Sequence, residues 1–396
     1  MIINTDNYHG ALVYKGIMYK DAIAVLQKTV QNRDVNPNIK LWYFDELFSL
    51  LDWSIEPPVS LEALYTNRAK QLREKYDYLI LMFSGGSDSR EILNTFLKSN
   101  IFIDEVRCVY PYRITEKIAA KVTQADLQNE EHPLGMFFEY EFSAKPQLEI
   151  LSEKSPKTKI TLIDQSDIYL SEYKKDVTVT ENPSIFCFTF NHIGDKNDPT
   201  VKGDWVNTSR NILTKRSLSH DTEKMKQQNI GVIIGADKPK LLINNLNEMS
   251  FFFSSFGRSQ PAIMPKSSDR YLEELFFWSP DSPLIPIKQS HMILNTINNH
   301  INKKQILDYI KQKPVEFIEE SFFKRIIYPS YSTEYYEKSK KYNTVPIKSV
   351  LSKIDHKAVD RYGDITLSFT TLYDKYMLNV KYARSKLYKI GKFNEW

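Results

Sequence analysis

The order Phe83-Ser84-Gly85-Gly86-Ser87-Asp88-Ser89-Arg90 constrains this chain more than any other stretch. Ahead of it, Tyr76 to Phe83 is aromatic and aliphatic apart from Asp77, the pattern of a buried central strand. Behind it, Ile92, Leu93, Phe96 and Leu97 recur at helical spacing, with Asp88 and Glu91 in the first turn, where the helix dipole favours acids. The order predicts strand, glycine turn, helix. Such a junction presents backbone N–H groups and the positive end of a helix dipole at the carboxyl edge of a strand, a seat for phosphate. Two glycines let the chain turn tightly and approach an anion closely. Ser84, Ser87 and Ser89 add hydroxyl donors. Asp88 would repel phosphate unless a divalent cation lay between them, so magnesium is implied.

The stretch is not a Walker A loop, which needs a lysine and a four-residue gap between glycines. It is not a dinucleotide fingerprint either, since a third glycine is missing. Ser84-Gly85-Gly86-Ser87-Asp88-Ser89 resembles the pyrophosphate-binding loop of the ATP pyrophosphatase (PP-loop) superfamily, with Arg90 where a small residue is commoner. A second stretch supports the resemblance. Ile230 to Ile234 reads as a buried strand, and Gly235-Ala236-Asp237-Lys238-Pro239-Lys240 follows it. This is similar to the Gly-Ala-Asp-Glu signature in the synthetase domain of asparagine synthetases, with Lys238 in place of the glutamate. Both turns fall at carboxyl ends of strands, where ligands bind in parallel sheets.

From Tyr76 to about Leu242 strands and helices alternate. Ile101–Tyr110 and Lys159–Asp164 read as strands, Thr115–Gln128 as a helix, and Ser184–Phe190 as a further β-rich run before a polar loop, 192–209. Alternation of this kind predicts an α/β fold, a parallel sheet with helices on both faces. The resemblance makes that sheet Rossmann-like, of the HUP type. Residues 1–75 are expected to form a cap, 76–242 the PP-loop domain and 243–396 a mainly helical region. Within the cap, Leu41–Trp53 is dense in large apolar residues and predicts a buried helix, ended by Pro57-Pro58. Ser60 is placed to cap a helix with Leu61, Leu64, Tyr65, Arg68 and Leu72 on one stripe.

Two cysteines, Cys108 and Cys187, sit in apolar runs and no Cys-x-x-Cys pair occurs, which argues against a structural zinc site or two-cysteine sulfur transfer. The histidines lack metal-ligand spacing. No apolar run is long enough for a membrane helix, and Met1-Ile2-Ile3-Asn4-Thr5-Asp6 lacks a basic then apolar leader, so a cytoplasmic location is expected. The segment before the loop is also expected to hold no glutaminase domain of the kind that opens class B asparagine synthetases. From Ser321 onward 15 Lys and Arg face 7 Asp and Glu. Lys324, Arg325, Lys338, Lys340, Lys341, Lys381, Arg384, Lys386 and Lys389 interleave there with Tyr335, Tyr336, Tyr342, Tyr382 and Tyr388, a pattern compatible with a nucleic-acid surface or with ordinary solvated helices.

The resemblance implies an adenylating enzyme that cleaves ATP to AMP and pyrophosphate and joins an activated carboxylate or carbonyl to a nitrogen nucleophile. It implies that Ser84, Gly85, Gly86, Ser87 and Ser89 hold pyrophosphate, that Asp88 and Asp237 hold magnesium, and that Lys238 and Lys240 face the phosphates. Val109 and Tyr110, at the end of the second strand, are implied beside the adenine, and Asp164 and Asp167 end the next one. Lys288 or Lys266 is implied as the lysine near the reaction intermediate. Two alternatives remain: a nucleobase-modifying enzyme whose acceptor is carried on tRNA or DNA, and a non-catalytic nucleotide-binding module, which Arg90 and Lys238 would mark.

Overall fold

The computed structural model describes residues 11–19, 25, 28, 32, 34, 37–110, 139–164, 229–235, 239–253, 271–312, 320–331 and 383–394. The predicted elements at 115–128 and 184–190, the loop at 192–209, and Cys187 lie outside them.

Five strands form the central sheet: β4 Tyr78–Met82, β5 Glu105–Tyr110, β6 Lys159–Asp164, β7 Ile230–Ile234 and β10 Tyr271–Leu275. Their order is β10-β7-β4-β5-β6, and every neighbouring pair is parallel. The chain lays down β4, steps outward to β5 and β6, then returns to the other side of β4 with β7 and β10. The order therefore reverses between β4 and β7, and in a sheet of this class that reversal opens a crevice above the carboxyl ends of the two strands. All five residues of β7 are buried, as expected for a central strand covered on both faces. Leu79 and Leu81 face the main core, whereas Ile80, Ile230 and Val232 form a separate apolar cluster on the opposite face.

Two helices bracket β4. Helix α2, Leu61–Lys75, starts at Ser60, whose hydroxyl accepts from the Ala63 N–H at 3.2 Å, and buries Leu61, Leu64, Tyr65, Arg68 and Leu72 as the stripe predicts. Arg68 is tolerated in that stripe because Glu274 on β10 accepts from its Nη2 at 2.7 Å. Lys75 Nζ at 2.8 Å and the Tyr76 hydroxyl also bond Glu274. Burial pushes the Glu274 carboxyl up, but Arg68 and Lys75 more than reverse this and hold it at about 2. Helix α3, Ser87–Lys98, follows the glycine loop and buries Ile92, Leu93 and Phe96.

One expectation is corrected. Leu41–Trp53 is not a helix: β3, Ile39–Trp42, is followed by Phe44 at φ 47° and a single turn, α1, Asp45–Phe48. The left-handed Phe44 interrupts any helix there. The aromatics are dense because Tyr43, Phe48 and Trp53 meet Phe253, Trp278 and Tyr388 in one buried cluster. Beyond 242 the described residues hold both helices and strands. Helices α5, Leu284–Asn298, α6, Lys303–Gln312, and α7, Glu320–Ile327, are joined there by strands, of which β10 completes the central sheet. Antiparallel β8, Lys240–Ile243, β9, Glu248–Phe252, and β11, Tyr388–Lys392, make a second sheet, in the order β11-β9-β8. β1, Ala11–Tyr14, and β2, Ile17–Tyr19, join β3 in a third. The chain end ties these together, with the Leu41 N–H on Arg384 O and the Ser385 N–H on Phe253 O.

Candidate active site

β4 ends at Met82, and Phe83 extends it by one bond, its N–H donating to Arg107 O at 2.8 Å. The turn then needs Gly85 at φ +81°, a conformation that L side chains rarely adopt. Space excludes a side chain as well, since a Cβ on Gly85 would sit 2.5 Å from Ala144 N. That neighbour belongs to a π-helical turn, Glu139–Ala144, that runs into α4, Lys145–Lys154. Ser143 Oγ donates to Gly85 O and locks the turn from outside.

Gly86 is the N-cap of α3, in extended conformation and without a side chain to satisfy the first turn. The serines fold around it. Gly86 N–H donates to Ser84 Oγ at 3.1 Å, and Ser89 Oγ donates to Gly86 O at 3.2 Å. The first intrahelical bond is from Arg90 N–H to Gly86 O, so the N–H groups of Ser87 and Ser89 precede the helical ladder. Ser87 Oγ is buried and has no hydrogen-bond partner among the described residues. A buried hydroxyl left so in a glycine loop at a helix N-terminus is suited to an acceptor that arrives with a ligand.

β7 delivers Gly235, the first residue of the second predicted turn, to the same place. A Cβ on Gly235 would stand 3.0 Å from Ser89 N and 3.1 Å from the Asp88 carbonyl carbon, so the backbone after β7 lies against the first turn of α3. The structure thus brings Gly235 to the loop. Asp237, Lys238, Lys266 and Asp167 lie outside the described residues. Lys240 begins β8, opposite Phe252. Val109 and Tyr110 are the last two residues of β5, the strand next to β4, with Asp164 paired to Tyr110 at the end of β6. Lys288, in the second turn of α5, donates to Glu56 Oε1 at 2.7 Å and Pro57 O at 2.9 Å, so its contacts are with the cap.

Side chains from far along the chain reach Asp88. Tyr328, just past α7, donates its hydroxyl to Asp88 Oδ1 at 2.7 Å, and Lys324 Nζ lies 3.7 Å from the same oxygen. The side chains of Lys324 and Asp88 are 7% and 13% exposed, so this pair is largely withdrawn from water. The Ser330 N–H donates to Glu91 Oε2 at 3.0 Å, and the Ser330 hydroxyl bonds it too. Burial pushes the Glu91 carboxyl up, against these two bonds. One signal was available. Phe323 and Ile327 mark the buried stripe of α7, and Lys324 stands beside them, a cation that burial obliges to find an acid.

Other described members of the basic, tyrosine-rich tail have structural partners: Tyr388 is buried and stacks on Trp53, and Lys389 pairs with Glu248 at 2.6 Å. Lys338, Lys340, Lys341, Lys381, Tyr335, Tyr336, Tyr342 and Tyr382 lie outside the described residues. Among the described residues no helix is long and apolar enough to cross a membrane.

Among the described residues no three His, Cys, Asp or Glu converge as a metal site. Magnesium usually takes one or two carboxylates and completes its shell with phosphates and water. Asp88, at the first turn of α3, fits that role. Comparison with protein-family models, with curated proteins and with solved structures gives no match.

Proposed function

We propose that the chain is an ATP-dependent adenylating enzyme, an amide ligase in chemical type, that uses the glycine loop as the seat for pyrophosphate. The observation that carries this reading is Gly235, at the end of β7, lying against the first turn of α3 at the reversal of strand order, while the buried Ser87 hydroxyl of the glycine loop has no hydrogen-bond partner among the described residues.

In this reading an oxygen of the acceptor carboxylate or carbonyl attacks the α-phosphorus of ATP. The bond from that phosphorus to the bridging oxygen breaks, and its electron pair leaves with pyrophosphate. A nitrogen nucleophile then attacks the activated carbon, AMP departs with the carbon–oxygen bonding pair, and the nitrogen loses a proton. The N–H groups of Ser87 and Ser89 and the hydroxyls of Ser84 and Ser87 face the charge that develops on the leaving group, and the α3 dipole adds to them. Magnesium, when bound, supplies further positive charge there; Asp88 would hold it, with Asp237 as a second ligand. The chain's own part is positioning and charge stabilisation rather than proton transfer.

The test is product analysis of Mg-ATP incubated with the protein and fractionated metabolite and nucleic-acid pools, with Asp88→Asn in parallel. Wild type should give AMP and pyrophosphate with one fraction, and that fraction names the acceptor class. Asp88→Asn should be slower by about 10²–10³, the usual effect of losing one contact to developing charge. ADP as the product, or full turnover by a folded Asp88→Asn, would refute the assignment.

A further inference from the structure

The segment that reaches Asp88 is itself fixed. Ile327 O, at the end of α7, accepts from the Tyr65 hydroxyl at 2.8 Å, and Gln289 Nε2 donates to that hydroxyl at 2.8 Å. Two residues past Tyr328, Ser330 is bound twice to Glu91 on α3. Tyr328, 2% exposed, packs its ring on Phe277 at a centroid distance of 5.3 Å. Lys324 and Tyr328 therefore meet Asp88 from a strap pinned on both sides, and they engage one and the same carboxylate oxygen.

We propose that Lys324 and Tyr328 form a counter-ion latch on Asp88, so that the site takes a divalent cation only together with a polyphosphate and not alone. The proposal rests on the reading of the loop as a nucleotide seat. A bare divalent cation arriving at Asp88 meets the Lys324 ammonium 3.7 Å from the oxygen it seeks, in a setting largely withdrawn from water, where like charges repel strongly. A metal–polyphosphate complex carries net negative charge. It is drawn by the same lysine and by the α3 N-terminus, and it brings an acceptor for Ser87 Oγ. As Asp88 turns to the metal, Lys324 gains phosphate oxygens in exchange, and no charge is left buried without a partner.

The experiment is a titration with Mn²⁺, read as loss of the free-ion electron paramagnetic resonance signal, with and without α,β-methylene-ATP. Wild type alone should withdraw no more Mn²⁺ than Asp88→Asn, and with the analogue it should bind metal and nucleotide together. Lys324→Met should bind Mn²⁺ without nucleotide about tenfold or more tightly than wild type, the scale on which one nearby charge biases an ionised group. Lys324→Met/Asp88→Asn should lose that gain. Lys324→Gln serves if the Met variant does not fold. Wild type binding Mn²⁺ alone as tightly as Lys324→Met, with both dependent on Asp88, overturns the latch and leaves the nucleotide reading standing. Failure of wild type to bind the analogue with metal present overturns that reading, and the latch with it.

Discussion

Replacing Gly85 by alanine separates the conformational demand of the loop from its packing demand, because the chain contains a built-in control. Gly16, in the two-residue turn between β1 and β2, has φ +76°, close to the +81° of Gly85, but a Cβ there would meet nothing within 4 Å. Gly16→Ala therefore pays only for an L residue in left-handed backbone, about 1–2 kcal/mol, partly offset by a stiffer unfolded chain. Gly85→Ala carries the same term and adds a Cβ at 2.5, 2.7 and 2.8 Å from the N, Cα and Cβ of Ala144. Two of those atoms are backbone, so no rotamer change relieves the overlap. The loop and the π-helical turn must part, which strains the Ser143 bond to Gly85 O. Overpacking of this kind typically costs about 1–3 kcal/mol, so Gly85→Ala should lose roughly 2–4 kcal/mol against about 1 for Gly16→Ala. Urea unfolding followed by far-ultraviolet circular dichroism measures both, and nucleotide binding should disappear in the Gly85 variant alone. Equal destabilisation of the two variants, or unchanged nucleotide affinity in Gly85→Ala, would refute the claim that Ala144 holds the loop in shape.

Gly235→Ala should weaken binding of α,β-methylene-ATP by about tenfold through displacement of Ser89 and Asp88, with a small change in stability, since Ile92 can turn aside; calorimetric titration decides, and unchanged affinity counts against a role for the contact of Gly235 with the first turn of α3. Glu274 gives a pH signature. Its carboxyl is held at about 2 against 4.5 in the unfolded chain, so its contribution of roughly 3 kcal/mol is present above pH 4.5 and drains away as pH falls toward 2. Glu274→Gln should flatten that acid limb of the stability curve while lowering stability at pH 7, where Arg68 would keep its charge without the acid; an acid limb identical to wild type would show the carboxyl is not so held.

What the sequence disclosed was local. β4, the loop and α3 were legible because a continuous apolar run, two glycines and a helical period lie within about twenty residues of one another. Even there the strand starts at Tyr78 rather than Tyr76, because Tyr76 caps α2 and turns its hydroxyl to Glu274. Leu41–Trp53 misled because large apolar residues report burial whatever the backbone does, and one left-handed residue, Phe44, is invisible in composition. β10 was missed because Tyr271–Trp278 offers an apolar, acidic mixture with no clean period, and only pairing with β7 makes it a strand. The strap over the loop was beyond reach for a plainer reason: Tyr328 and Asp88 are 240 residues apart, and no local pattern encodes such a meeting.

A weaker rule does survive that distance. A cation inside a buried helical stripe calls for a polar partner from elsewhere, and among the described residues Arg68 with Glu274 and Lys324 with Asp88 find an acid. The two pairs differ in where the acid stands. Glu274 is set within the sheet and already shared among Arg68, Lys75 and Tyr76, so its charge is committed to holding β10 against α2. Arg68 is fully buried, and although its Nε and Nη1 lack hydrogen bonds, Asp281 lies 3.6 Å from Nη1 and supplies the remaining charge. Asp88 instead stands at the N-terminus of a helix, where an anion is expected as ligand as much as side chain, next to Ser87, whose hydroxyl has no partner among the described residues, and with its backbone against Gly235. An acid confined within the sheet can only brace the fold, whereas an acid at a crevice can exchange one counter-ion for another. That difference in place, rather than the strength of either pair, is what makes the first pair a matter of stability and the second a candidate for the proposed site.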